Sequence, residues 1–467
     1  MKVRAIFMIG MVFVVFCGLV QVDAAALDVN VIDFPYTKAT IDGDETDVIN
    51  LSTALVGAAE IPLISFEQTG IPQIQWAHLA TQDVPGNCPS NAGWKCDFWG
   101  VTTMVNGSLS NVGTDRFGPD TFGLAWAFSD GTYIQGWLME YFNNMSRNDI
   151  NWEYLIEESK FGGTMIGAPS IELVGGHFRL AAVFRDNGDI RTYQLVYLHY
   201  VGGSNTSCYH VASGYQCDVI EVSVATPLGQ PSLAYAGGDT GIAYTKGNAV
   251  RYAYPWGSIP GRASNCGPGG DTWRCIDIDA PSVGTIGTKL ALAYGSDRTH
   301  AALLYNHKPT TKDMIMRATY VGSGGNCGKD GYLGTDPVYR WDCSDLDAFI
   351  DNINNTTFAL TFDPNNYPVA SWNNKFTGDE AQRLYVGYPN ARVGAGGGWQ
   401  KHIVDGNDWS TTGIWNNISI NSAGLTFIGY MQPTYRACGD PGCAIDLSDN
   451  LRMAAQWFRT YAPIVLR

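Results

Sequence analysis

The sequence predicts an all-β protein, a β-propeller of seven four-stranded blades in a ring closed by an N-terminal strand. Three observations carry that expectation: a repeat of about sixty residues, short alternating strands separated by turn residues with no helical run between them, and cysteines in close pairs that follow the repeat. Composition agrees with it. Of 467 residues, 16% are charged and 12% aromatic, with 54 glycines, which suits a packed chain of many turns and excludes disorder, coiled coil and collagen. The formal charge of −15 offers a polyanion no long-range attraction, so a general nucleic-acid binder is excluded.

At the N-terminus, Lys2 and Arg4 precede an apolar run, Ala5–Val20, and a small-residue stretch ending at Ala26. This is the layout of a secretory signal peptide over residues 1–24, and an uncleaved anchor is the alternative. No later stretch is long and apolar enough to span a bilayer. The expected product, residues 25–467, is a single extracellular propeller domain, with the periplasm or a cell surface as the alternative. Leu27–Asp33 follows as an alternating stretch with no unit of its own; it is expected to supply the missing fourth strand of the last blade and so remove two free sheet edges. Asp42, Asp44 and Asp47 have a carboxylate spacing that calcium can use, against the plainer reading of a solvated acidic turn; no other cofactor is expected.

The repeat shows first in an aromatic-x-Cys signature: Trp94-Lys-Cys96, Tyr215-Gln-Cys217, Trp273-Arg-Cys275 and Trp341-Asp-Cys343. Trp152 and Trp399 continue it without the cysteine, and the six positions are 58 to 68 residues apart. Where the second cysteine is missing the first is missing too, as expected of a bridge inside one unit. Five local disulfides follow: Cys88–Cys96, Cys208–Cys217, Cys266–Cys275, Cys327–Cys343 and Cys438–Cys443. Zinc is the alternative, but no Cys-x-x-Cys motif occurs and the histidines are scattered.

A second marker, usually a small residue followed by an aromatic, closes an apolar run seven times: Ser65-Phe66, Ala127-Phe128, Val183-Phe184, Ala243-Tyr244, Ala293-Tyr294, Ser371-Trp372 and Gly429-Tyr430. Each is read as the end of a second strand. One unit runs Pro231–Ala236, Gly241–Tyr244, Ala249–Tyr254 and, after the Cys266–Cys275 loop, Ile276–Asp279. The last unit ends on its third strand. Seven units over the mature chain give about sixty-three residues each, longer than the ~40–45 of a compact propeller repeat, so the loops are generous.

The string Pro231-Ser232 … Gly241-Ile-Ala-Tyr244 … Arg251-Tyr-Ala-Tyr254 … Asn265-Cys266-Gly267 … Trp273-Arg-Cys275 resembles repeats of secreted, sialidase-like β-propeller proteins. The resemblance implies a ring with the first strand of each blade lining a central channel; it implies less about activity, since propellers host lectins, glycosidases and partner-binding scaffolds. The Ser-x-Asp-x-Gly-x-Thr-Trp boxes that a sialidase implies are absent, Ser129-Asp130-Gly131-Thr132 being the nearest match. Arg185 and Arg298 supply two arginines after second strands and no third stands at an equivalent place.

Loops between second and third strands share a face with the blade-to-blade connections, and ligands commonly bind there in propellers. The candidate ligand-binding residues are therefore Asp130, Arg185, Asp186, Lys246, Asp297, Arg298, Asn373 and Asn374, with Lys375 beside them and Trp372, Trp126 or Trp137 as stacking surfaces. The plainer reading is that Asp and Asn are what tight turns require. Trp94, Trp273 and Trp341 are read as packed on their disulfides. No lipase elbow, phosphate loop or zinc-protease helix occurs. Sequons stand at Asn50, Asn106, Asn144, Asn205, Asn354, Asn355 and Asn417. The expected function is an extracellular binding module for a glycan or a protein partner; a glycoside hydrolase using Asp130, Asp186 or Asp297, and a structural module of an extracellular assembly, are the alternatives.

Overall fold

The computed structural model describes residues 36–456 apart from 46–47, 57–58, 69–70, 101–112, 116–120, 143–144, 189–190, 204–213, 257–264, 268–271, 310–312, 331–337, 349–356, 376–381, 394–397, 407–411 and 438–443. Thirty strands form seven antiparallel sheets. β1 (Tyr36–Glu45) opens the chain. Blade 1 is β2 (Val48–Val56), β3 (Ile61–Gln68), β4 (Ile71–Leu79) and β5 (Trp94–Gly100); blade 2 is β6 (Gly113–Asp115), β7 (Thr121–Ser129), β8 (Tyr133–Phe142) and β9 (Arg147–Glu157). In blade 3, β10 (Gly163–Met165) and β11 (Ser170–Val174) both pair β12 (His177–Asp186), followed by β13 (Thr192–Tyr200) and β14 (Tyr215–Val224). Blade 4 is β15 (Ser232–Ala236), β16 (Asp239–Lys246), β17 (Ala249–Pro255) and β18 (Trp273–Asp279). Blade 5 runs β19 (Thr285–Tyr294), β20 (Ala301–Lys308), β21 (Met314–Tyr320), β22 (Cys327–Asp330) and β23 (Val338–Ala348), with β22 outermost. Blade 6 is β24 (Phe358–Phe362), β25 (Pro368–Lys375), β26 (Gln382–Pro389) and β27 (Trp399–Asp405); blade 7 is β28 (Ile414–Ile420), β29 (Thr426–Ala437) and β30 (Ala444–Gln456), completed by β1. No helix among the described residues is long and apolar enough to cross a membrane.

The expected closure occurs with a different segment. β1 pairs β30 antiparallel from Tyr36↔Gln456 to Glu45↔Asp449, so Tyr36–Glu45 closes the ring, and Leu27–Asp33 lies outside the described residues. Asp42 and Asp44 consequently belong to this strand rather than to an acidic turn, and Asp47 lies outside the description. Among the described residues no group of acidic, histidine and cysteine side chains is arranged to hold a metal.

Blade 5 also corrects the second marker. Ala293-Tyr294 ends its first strand, and the second strand carries Leu304-Tyr305 instead. The two sites look alike because both strands end an apolar run on a tyrosine.

Three bridges, Cys88–Cys96, Cys266–Cys275 and Cys327–Cys343, form as the spacing predicts, and Cys217 is disulfide-bonded as well. Cys208, Cys438 and Cys443 lie outside the described residues. Such bonds persist in oxidising compartments. Each described bridge sits between the third and fourth strands with its tryptophan buried on it: Trp94, Trp273 and Trp341 are at most 4% exposed, whereas Trp152, in a unit without cysteines, is 50% exposed. In each of these three bridges an asparagine (Asn87, Asn265, Asn326) precedes the first cysteine and clamps the second. Asn265 Nδ2 donates to the Cys275 carbonyl at 2.8 Å and its Oδ1 accepts the Cys275 N–H at 2.7 Å; Asn326 does the same for Cys343. In the two bridges whose first cysteine is followed by glycine, the indole requires it: at Gly328, with φ +65°, a Cβ would lie 2.3 Å from Trp341 Cδ1. Asn265→Ala strands two backbone groups of a buried cysteine, so it is expected to cost on the order of 1–3 kcal/mol, read as a lowered urea midpoint with the bridge intact.

The aromatic of the second strand is a staple between blades. Tyr244 donates to Glu221 on β14, Tyr305 to Asp279 on β18 at 2.8 Å, the Trp372 indole to Asp347 on β23 at 2.8 Å, and Tyr430 to Asp405 on β27 at 2.5 Å. In every case the acceptor lies on the fourth strand of the preceding blade. Blades 1 to 3 have Phe66, Phe128 and Phe184 at the marker, which pack in the inter-blade cores and have no proton to donate.

Candidate functional site

The inner strands start on the face that carries the second-to-third-strand loops, and their first residues converge on the axis. They enclose a cavity of about 220 Å³ to which every blade but the second contributes described residues. Most of the polar side chains there tie one blade to the next. Ser170 Oγ accepts the Leu233 N–H and Ser232 Oγ accepts the Leu292 N–H, both at 2.9 Å. Asn416 donates to the Thr357 carbonyl at 3.0 Å, and Asn417 Oδ1 accepts the Thr53 hydroxyl at 2.9 Å. These bonds satisfy groups that would otherwise be costly so near the centre of the ring.

Lys289 differs from them. It lies on β19, among the apolar residues that blade 5 turns toward the axis, and lines the cavity with Gln230 of blade 4 and Trp415 of blade 7. Its Nζ stands 4.8 Å from the centre of the Trp415 ring, and among the described residues it has no carboxylate or hydrogen-bond partner. Burial pushes its pKa down to about 8. It is the one titratable group among the described residues lining the cavity. Two residues past Ser170 on β11, the half-buried Glu172 is also without a partner among the described residues, and burial raises its pKa to about 8.

The residues expected from the sequence do not converge in this way, and none of them is among the described residues lining the cavity. Asp130 accepts the Thr132 and Tyr133 N–H groups and the Gln135 amide, the work of a turn residue. Asp186 is similar: a hydrogen bond from the Thr192 N–H holds its carboxyl below the usual range. Arg185, next to the end of β12, is half-buried. Lys246 is paired with Glu221 at 2.6 Å. Trp372 is fully buried, Asn373 1% and Asn374 6% exposed; Asn373 accepts the Thr357 N–H and Asn374 donates to Asp347. Trp126 is buried as well, so neither it nor Trp372 presents a face to a ligand.

Asp297 and Arg298 are corrected most sharply. Because Tyr294 ends a first strand, they occupy the turn between β19 and β20, on the opposite face of the ring from the other candidates. There Asp297 accepts from the Thr299 and His300 side chains, and Arg298 lies over the Tyr254 ring near Asp239. Asn417, one of the sequons, lines the axial cavity, and its amide oxygen accepts the Thr53 hydroxyl there. Asn50 falls in the inner strand β2; the other sequons lie outside the described residues. The sequence signal for the axial site was present in one respect: Lys289 opens the apolar run Leu290–Tyr294, a cation where a buried inner strand calls for none.

Neither a protein-family model nor a curated protein sequence matches this chain. Solved structures do resemble it. A mutant of NanB sialidase from Streptococcus pneumoniae is 10% identical, with 90% of this chain and 70% of that one aligned at a TM-score of 0.39. AofleA from Arthrobotrys oligospora is 9% identical over 80% of this chain and 90% of its own, at 0.41. The hemagglutinin-neuraminidase ectodomain of parainfluenza virus 5 is 7% identical over 97% and 96%, at 0.33. The chain is thus similar in architecture to sialidase and hemagglutinin-neuraminidase propellers. At these identities and TM-scores the likeness stops at the arrangement of strands and carries no activity over to this chain.

Proposed function

We propose that the protein is an exported binding module, freed of residues 1–24, that holds an acidic sugar residue of a glycan in its axial cavity. The observation that carries this reading is Lys289, a cation without a counter-ion among the described residues, beside the Trp415 ring in a cavity rimmed by amides and hydroxyls. An aromatic face takes the apolar side of a pyranose, polar groups fix its hydroxyls, and the ammonium supplies the partner for a carboxylate. A binding reading is favoured over hydrolysis because the described residues lining the cavity include no carboxylate, whereas glycoside hydrolysis ordinarily uses a pair of them.

Titration of uronic and sialic acid oligosaccharides tests it. Trp415→Ala is expected to weaken binding about tenfold, equivalent to about 1.4 kcal/mol. Lys289→Met is expected to abolish the preference for acidic over neutral sugars. Lys289 is charged below its pKa of about 8, so affinity should hold through neutral pH and fall as pH rises past that value. No ligand on a broad glycan array, or unchanged affinity in both variants, overturns the proposal.

A further inference from the structure

Charge is only one property of the Lys289 side chain. An ε-amine becomes a nucleophile when it is shielded from water and has no acid nearby to hold its proton. Lys289 approaches both conditions: it is half-buried on β19, and no carboxylate or hydrogen-bond acceptor among the described residues engages its Nζ. The Trp415 ring at 4.8 Å favours the charged form, and desolvation outweighs it, leaving the group near pKa 8. A further titratable group on the inner strands, Glu172, lies two residues past Ser170 on β11.

We infer that Lys289 captures carbonyl compounds covalently, forming an imine with a small polyhydroxy aldehyde such as the open-chain form of a reducing sugar. The inference rests on the reading that the cavity admits a sugar. The neutral amine's lone pair attacks the carbonyl carbon while the C=O π pair moves to oxygen, and proton transfer from nitrogen to that oxygen gives a carbinolamine. Its hydroxyl leaves as water, with one proton taken up and the remaining N–H proton released, and a C=N bond forms; no oxidant or reductant takes part. Gln230, Ser232 and Asn417 stand around the same space, placed to hold the hydroxyls of the captured aldehyde.

The test uses the whole protein, D-glyceraldehyde at low millimolar concentration and cyanoborohydride at pH 7.5, with adducts located by peptide mass spectrometry. Lys289 is expected to be trapped at least tenfold faster than the exposed Lys329 and Lys401, because burial lowers its pKa to about 8 and leaves an appreciable share of its amine neutral at that pH. Its rate should level off above about pH 8. Lys289→Arg keeps the charge and removes the nucleophile, so it should lose the fast adduct. Trapping no faster than at Lys329 overturns the inference and leaves the binding reading standing. A fast adduct in a protein that binds no acidic glycan overturns the binding reading alone. If Lys289→Arg fails to fold, the wild-type rates decide.

Discussion

Removal of Tyr36–Glu45 is expected to cost the protein most of its stability. β1 is the fourth strand of blade 7, and without it β30 faces solvent along its length. The loss extends beyond the ladder. Ile41 is fully buried in the core between blades 7 and 1, Lys38 pairs with Asp405 at 2.9 Å, the Tyr36 hydroxyl meets that of Tyr388 at 2.7 Å, and Asn91 donates to the Thr40 carbonyl. One segment therefore holds blades 6, 7 and 1 together. Domains are stable by only about 5–15 kcal/mol, and deleting a strand with a buried isoleucine, an ion pair and its ladder removes a large part of that. The deletion should aggregate or melt far below the full chain, and a synthetic Tyr36–Glu45 peptide added in trans should restore part of the transition. A deletion that melts like the parent would show that β30 needs no partner.

Asp405→Ala is expected to be the most damaging single substitution, costing about 3–5 kcal/mol, as for a buried ion pair broken on one side. Asp405 is 8% exposed and accepts from Tyr430, Lys38 and Arg452. Burial by itself disfavours its charge, but hydrogen bonds from Tyr430 and Lys38 and the charge of Arg452 outweigh this and hold its carboxyl below the usual range. A depressed folded pKa means that the stabilisation is present above the unfolded value of about 3.9 and is lost as pH falls through the folded one. The wild type should accordingly lose stability more steeply than Asp405→Asn below about pH 4. Parallel acid-denaturation curves for the two proteins would contradict this.

Much of the ring was legible because its determinants are local. Alternation, turn residues and the Trp-x-Cys hairpins are written within a few residues of one another, so blade 4 could be read strand by strand. The failures came where two strands looked alike or where contacts cross blades. Tyr294 and Tyr305 both end apolar runs, and choosing the wrong one moved Asp297 and Arg298 to the wrong face. Ring closure was foreseen in kind, but an alternating stretch at Leu27 competed with Tyr36–Glu45, whose Gly43 and acidic residues disguise a strand. The axial cavity was the least legible, since Lys289 and Trp415 are 126 residues apart and meet only because blades 5 and 7 both face the centre. The exposed-loop residues were chosen for polarity, and in the fold that polarity is spent on turns, staples and ion pairs.

Closure by β1 also sets an order of events. During synthesis this strand is made before any blade and its partner β30 after nearly all of them, 420 residues separating Tyr36 from Gln456. Joining ends so distant in a free chain carries a loop-closure entropy of about 5 kcal/mol, which no short ladder repays comfortably. Stacking of blades 1 to 6 would bring the two ends together first, so β1 is expected to dock last on an almost finished ring. Until then its edge is unpaired, and a second nascent copy offers the same β30 edge at the same moment. The step that makes the ring a single closed object is therefore also the one at which two chains can exchange strands.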